Sequence, residues 1–235
     1  MRIRRSQQVH ARPYSWPHDG SLDASNTALV VIDMQRDFCE EGGYLSQQGY
    51  DISGTRAIIP KLHTLLHHCR SAGLFILHTR EGHRPDLSDL PSRELFRSRN
   101  NASGLGIGDR GPLGRLLVRG EAGHDTIKEL YPVTGEPVID KPGKGAFANT
   151  DFDLLLRTKG VRNLIICGVT TDVCVSTTMR EANDQGYDCL LVEECCAASH
   201  ENLHNAAIET VRTEGGIFGA TAKLEDVLNG LAYYA

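Results

Sequence analysis

The chain predicts a three-layer αβα domain with a mainly parallel central sheet. Two observations carry that prediction. Short, near-continuous apolar runs (TALVVI, LFILHTR, NLIICG) recur along the 235 residues, and stretches of helical periodicity separate them. Strands buried on both faces read as unbroken apolar runs, and a strand, helix, strand succession implies parallel pairing with helices over both faces. In such sheets ligands collect at the carboxyl ends of the strands.

Residues 1–24 are polar and rich in Arg and Pro, and read as an N-terminal arm lying on the domain body or on a neighbouring subunit. Its Trp16 needs a surface to cover. Residues 25–235 read as one domain, since no Pro-rich, Gly/Ser-rich or charge-block linker divides them. Thr27–Ile32 is the first strand, and Asp33 stands where the apolar run stops. Ile58–Ala72 carries Leu62, Leu65 and Leu66 at helical spacing, ends at Gly73 and leads into the strand LFILHTR. Pro85–Gly123, with many Gly, Pro, Arg and Asp residues, is a long irregular excursion of the kind that is usually functional or interfacial. A strand at Pro137–Asp140 ends at Lys141, and Asp151–Thr158 is a helix. The strand Asn163–Gly168, the turn Val169–Asp172 and the helix Val173–Gln185 follow, then the strand Asp188–Val192 and the helix Leu203–Glu214.

The net charge of −5, with both signs interspersed, offers no basic stripe for nucleic acid and no polybasic membrane patch. No apolar run approaches the roughly 20 residues that span a bilayer, and Met1–His10 lacks a signal peptide's apolar core. A cytoplasmic address and a small-molecule partner are therefore expected. The seven cysteines (39, 69, 167, 174, 189, 195 and 196) are odd in number and lack CxxC spacing, so neither disulfides nor a zinc knuckle is expected. Cys167 and Cys189 read as buried hydrophobes; Cys195 and Cys196 end a strand, with a vicinal redox pair as the alternative.

Cys174 differs because it is launched from a buried strand into the first turn of a helix. There the macrodipole and unpaired N–H groups favour a thiolate and offer donors to an oxyanion. Asp33 and Lys141 share its position at a strand's carboxyl end. Separately each has a plain structural reading: an aspartate closing a strand caps loops, and a lysine there is a solvated charge. Together they form a catalytic set, in which Asp33 takes the thiol proton, the thiolate attacks a carbonyl carbon, and Lys141 orients Asp33 and supplies positive charge. His78, His83, His200 and His204 are alternative bases, though none stands at a strand end as cleanly as Asp33.

From about Thr27 onward the sequence resembles the isochorismatase-like cysteine hydrolases, on VIDMQRDF, DKPGKGAF and GVTTDVCV. The resemblance implies the triad Asp33, Lys141 and Cys174. It also implies a non-proline cis peptide between Val169 and Thr170, with the N–H groups of Thr170 and Cys174 as the oxyanion hole. Nicotinamidase relatives place a D-x-H metal cluster after the first aspartate; the stretch SQQGYDISG has no histidine, so neither a metal site nor a cofactor is expected. Homotetramers are common among relatives, so a homo-oligomer is implied here.

Within the family, HTREGHRPDL, RGEAGHD, TTDVCVSTTMREAND and EGGIFG resemble the biuret and triuret hydrolases. That likeness implies a small ureide substrate, hydrolysed with loss of ammonia, with Phe38 stacking on it and Lys144 pointing at its carbonyls. Biuret hydrolases carry a glutamine where this chain has Glu214. An ionised carboxylate accepts hydrogen bonds but cannot donate them, so Glu214 would suit a ureide richer in N–H groups, such as triuret. Rival expectations are a hydrolase for ureidoacrylate or an N-carbamoyl amino acid, a true isochorismatase that needs no cysteine, and a non-catalytic member of the fold.

Overall fold

TALVVI forms β1 (Thr27–Ile32), and all six side chains are buried, as an interior strand covered on both faces requires. Three short helices follow it, α1 (Arg36–Cys39), α2 (Tyr44–Gln47) and α3 (Ser53–Ala57). The next helix, α4 (Ile59–Ser71), has Pro60 in its first turn and buries Ile59, Leu62, Leu65, Leu66 and Cys69 along one face. β2 (Phe75–Glu81) returns parallel to β1. The chain then makes its excursion, which contains α5 (Ser92–Ser98) and a two-residue ribbon of β3 (Arg110–Gly111) and β4 (Gly114–Arg115). β5 (Val138–Lys141), α6 (Phe152–Thr158), β6 (Asn163–Val169), α7 (Ser176–Asp184) and β7 (Asp188–Ala197) complete the middle. α8 (Glu201–Arg212), β8 (Ala220–Ala222) and α9 (Leu224–Leu231) end the fold. This computed structural model describes residues 7–232.

Six strands pair in the order β5-β2-β1-β6-β7-β8, every pair parallel, with helices packed against them. The predicted three-layer αβα class is therefore the observed one. β1 sits inside the sheet between β2 and β6, so the carboxyl ends of β2, β1 and β6, and of β5 beyond β2, come together on one edge.

Some elements escape the sequence reading. β8 has three small residues, ATA, too few to show periodicity. β7 runs five residues beyond the predicted Val192, because Glu193 is neutralised where it stands. Its carboxylate takes the Thr221 hydroxyl at 2.7 Å, lies 2.9 Å from Lys223 Nζ and pairs with Arg212. Cys195 and Cys196 consequently lie within the strand.

Arm residues from Gln7 onward lie along the body of their own chain. Arg12 exchanges both backbone hydrogen bonds with Thr221 of β8, and Tyr14 Oη donates to Asp188 at 2.9 Å. Trp16 is fully buried. The excursion folds back over α1: Leu117 N–H donates to Asp37 Oδ2 at 3.0 Å, and Asp37 N–H donates to the Gly123 carbonyl at 2.7 Å. No helix among the described residues is long and apolar enough to cross a membrane.

β6 is pressed against β1 at its end, where Gly168 adopts φ +114°. A Cβ there would stand 2.0 Å from the Ile32 carbonyl oxygen, and backbone cannot move aside as a flexible side chain does. Gly168→Ala is expected to destabilise the protein by about 3 kcal/mol or more. A urea midpoint equal to that of the parent would contradict this.

Candidate active site

Four strand ends build the site. Asp33 follows β1 with φ +50°, a conformation aspartate tolerates better than most residues. Its N–H lies 3.2 Å from the Thr79 carbonyl, and Thr79 Oγ1 donates to Asp33 Oδ1 at 2.6 Å, so β2 fixes the carboxylate from the side. Lys141, the last residue of β5, places Nζ 2.8 Å from Asp33 Oδ2 and donates to the Gly143 carbonyl at 3.0 Å. Both side chains are completely buried. From β6 the chain passes through a cis peptide between Val169 and Thr170 into one π-helical turn, Thr171–Val175, which carries Cys174. The Thr170 carbonyl takes the N–H groups of Val173 and Val175, both at 3.1 Å, and passes over Cys174 between them.

The fourth residue, Glu81, ends β2 and is missing from the sequence reading, which closed that strand at Arg80. Its Oε2 lies 3.3 Å from Cys174 Sγ, which donates to it, and 3.9 Å from Lys141 Nζ. Its Oε1 receives Lys144 Nζ at 2.6 Å, and Lys144 also reaches Glu94 of α5 at 3.0 Å. Gln35 clamps the Glu81 backbone on both sides: Oε1 accepts its N–H at 2.7 Å, and Nε2 donates to its carbonyl at 2.9 Å. The second Nε2 hydrogen goes to the His124 carbonyl at 3.0 Å. The D-x-Q of VIDMQ thus holds two carboxylates, one in its own side chain and one through the neighbouring strand. The clue in the sequence was the rule already applied to Asp33 and Lys141, extended by one residue along β2.

Oxygen atoms of Asp33 and Glu81 and the sulfur of Cys174 all fall within 4.8 Å of one another. Such a set could in principle ligate a cation, but two lysine ammonium groups already sit on these carboxylates, and a metal ion would face both. Lys141 and Lys144 already supply counter-charge to Asp33 and Glu81, with Glu94 as a second carboxylate on Lys144 and a neutral thiol between. Burial pushes the Cys174 thiol well above its ordinary value despite the nearby Lys141 ammonium, and the Asp33 and Glu81 carboxylates push the same way as burial. The thiolate expected from the helix N-terminus is therefore not the resting species. Here the sulfur is buried against anions, and the adjoining turn is π-type. Burial also raises Asp33 despite Lys141, whereas at Glu81 the two lysines overcome burial and keep the carboxylate below its usual range. Asp33 is thus the carboxylate able to hold a proton, and Glu81 the one that stays ionised.

Cys174 opens onto a cavity of about 290 Å³, with Asp33 and Lys141 behind the sulfur and away from its lining. That volume is at the small end of the roughly 300–1,000 Å³ typical of ligand pockets. Phe38 and Tyr44 meet edge to face on one wall, and Tyr50 and His200 do the same on another. Lys144, Thr170, Asp172 and Leu203 complete much of the lining, and among the described lining residues Lys144 is the sole Lys or Arg.

Glu214 does not join them. It is exposed, at φ +52°, just past the carboxyl end of α8, while the residues preceding and opening that helix line the cavity. Twelve helical residues separate the two ends by roughly 18 Å. The structure also separates the alternative bases. His78 bonds Glu136 at 3.0 Å, His204 bonds Thr171 at 2.8 Å, His83 is buried 3.3 Å from Asp89, and His200 stands at the outer wall.

The chain is similar to known proteins in sequence and in fold. The chain is 32% identical over 221 residues to the ureidoacrylate amidohydrolase RutB of Azorhizobium caulinodans, covering 92% of this chain and 95% of that one. It is 31% identical over 219 residues to the protein of that name from Yersinia enterocolitica, covering 92% and 94%. Among solved structures, a cysteine hydrolase from Pseudomonas syringae superposes with a TM-score of 0.78 at 24% identity, over 99% of this chain and 100% of that one. An isochorismatase family protein from Desulfovibrio vulgaris superposes with a TM-score of 0.73 at 28% identity, over 88% and 98%. The isochorismatase domain matches residues 27–223, nearly the whole globular body, and the chain belongs to that family.

Proposed function

We propose that the protein is a cysteine amidohydrolase that releases ammonia from a small, uncharged ureide, with biuret and triuret as the preferred candidates. In this mechanism Asp33 accepts the Cys174 proton, and Sγ bonds to the carbonyl carbon. The oxyanion forms against the N–H groups of Thr170 and Cys174. Asp33 returns the proton to the departing nitrogen, ammonia leaves, and a thiocarbamate remains on Cys174. Water then gives a proton to Asp33 and bonds to the same carbon. The C–S bond breaks, and the sulfur regains its proton. From biuret the product is allophanate. The proton moves within one cluster of carboxylates and lysines, so the net charge of the buried site stays the same through every step.

One observation carries the choice of an uncharged substrate: Lys144, the cation of the lining, is already engaged by Glu81 at 2.6 Å and Glu94 at 3.0 Å. A substrate carboxylate would meet no free lysine or arginine among the described lining residues and would lose its hydration uncompensated. Similarity to the two ureidoacrylate amidohydrolases supports the second reading, a carbamoyl acid. Ammonia release from biuret, triuret, ureidoacrylate and N-carbamoylglycine separates the two. We expect kcat/KM for biuret or triuret to exceed that for either acid by about 100-fold. A preference for an acid would overturn the uncharged-substrate reading. As a cytoplasmic homo-oligomer, the protein should elute from a sizing column above its monomer mass.

A further inference from the structure

From the geometry around Glu81 we infer that this residue selects carbonyls flanked by N–H on the side that is retained, and so admits ureides and rejects plain carboxamides. The inference rests on the reading of the protein as a cysteine amidohydrolase, but not on which ureide it takes. Glu81 is buried, lines the cavity and reaches the attacking sulfur, so its Oε2 sits beside any carbonyl carbon that Sγ attacks. In the free site that oxygen accepts the Cys174 thiol hydrogen. Once Asp33 has taken that proton, Oε2 needs another donor within the same few ångströms. A ureide supplies one, the N–H on the far side of the carbonyl from the departing nitrogen. A carboxamide offers only a C–H there, and a buried carboxylate left without its donor costs more than the bond itself contributes.

Glu81 cannot simply turn away. Lys144 holds Oε1 at 2.6 Å, and Gln35 grips the backbone N–H and carbonyl of the same residue. Its charge is equally fixed, because Lys144 and Lys141 keep it ionised. It is therefore an acceptor only, in a set position, and differs in this from Asp33, whose work requires it to gain and lose a proton.

The test pairs substrates that differ by N–H against CH₂: biuret with malonamide, and N-carbamoylglycine with succinamate. The parent protein should favour the N–H member of whichever pair it turns over. Glu81→Gln should remove most of that preference. Lys144 will draw the amide oxygen toward itself, leaving the NH₂ facing the substrate N–H, donor against donor. We expect kcat/KM for the ureide to fall about 100-fold further than that for its methylene partner. Alkylation of Cys174 by chloroacetamide reports separately on the integrity of the site and should persist in the variant. Glu81→Asp, which keeps the acceptor but withdraws it, should give an intermediate preference. Equal losses on both members of a pair, or a parent protein that prefers the carboxamide, would overturn the inference. If biuret is inert but N-carbamoylglycine is preferred over succinamate, the uncharged-substrate reading fails and the role of Glu81 stands.

Discussion

Cys174→Ala is expected to lower ammonia release by at least about 10⁴-fold, with the fold intact, as removal of a covalent nucleophile commonly does. The substitution deletes one sulfur from a buried position and leaves Glu81 Oε2 without the thiol donor at 3.3 Å, so its thermal midpoint should fall by a few degrees. Full retained activity would exclude a covalent pathway and return the protein to isochorismatase-type chemistry. The pH profile of the parent follows from the same cluster. Cys174 rests as a thiol and Asp33 must be ionised to receive its proton, so kcat/KM should fall as pH drops through the Asp33 value, which burial lifts above the ordinary carboxylate range. A low-pH limb that survived unchanged in Asp33→Asn would assign that titration elsewhere.

Lys141→Met is expected to have the largest effect on stability, about 3–5 kcal/mol at neutral pH. Lys141 is fully buried, and its ammonium lies 2.8 Å from Asp33 and 3.9 Å from Glu81. Methionine fills most of the volume but leaves the cluster with one more uncompensated negative charge. Asp33 will meet that charge by binding a proton, because its folded-state pKa, already raised, rises further. A carboxylate whose pKa is raised on folding stabilises the protein below its unfolded value, and that stability is lost as pH rises through the folded value. The variant should therefore be closest to the parent in acid and fall away toward pH 8. Activity should be lost throughout, since a protonated Asp33 cannot act as base. Parallel stability curves for the two proteins would show that Lys141 is not the counter-charge to Asp33.

Much of this site was legible because parallel strands advertise their ends. VVI followed by aspartate, PVID by lysine, and LIIC by a turn with cysteine each mark a carboxyl terminus, and the topology gathers such termini on one edge. Glu81 was overlooked because LFILHTR reads as ending at Arg80, after the polar run of His78, Thr79 and Arg80 and one residue short of the observed end. Those side chains are buried or half-buried against partners that only the fold supplies, Glu136, Asp33 and Asp140. The protonation of Cys174 was misjudged for a related reason. A helix dipole can be read from sequence, whereas the burial of the sulfur beside two carboxylates from strands 93 and 141 residues upstream cannot. Glu214 was placed in the pocket by likeness alone, and α8 carries it to the other end.

The clamp of Gln35 on the Glu81 backbone has a thermal consequence. The interval between the two carboxylates is set by main chain, since Asp33 leaves β1 directly and Glu81 is gripped at its own N–H and carbonyl. Warming that loosens rotamers leaves this interval unchanged until β1 and β2 part. Catalytic output should therefore climb with temperature almost to the unfolding transition and then fail together with the sheet.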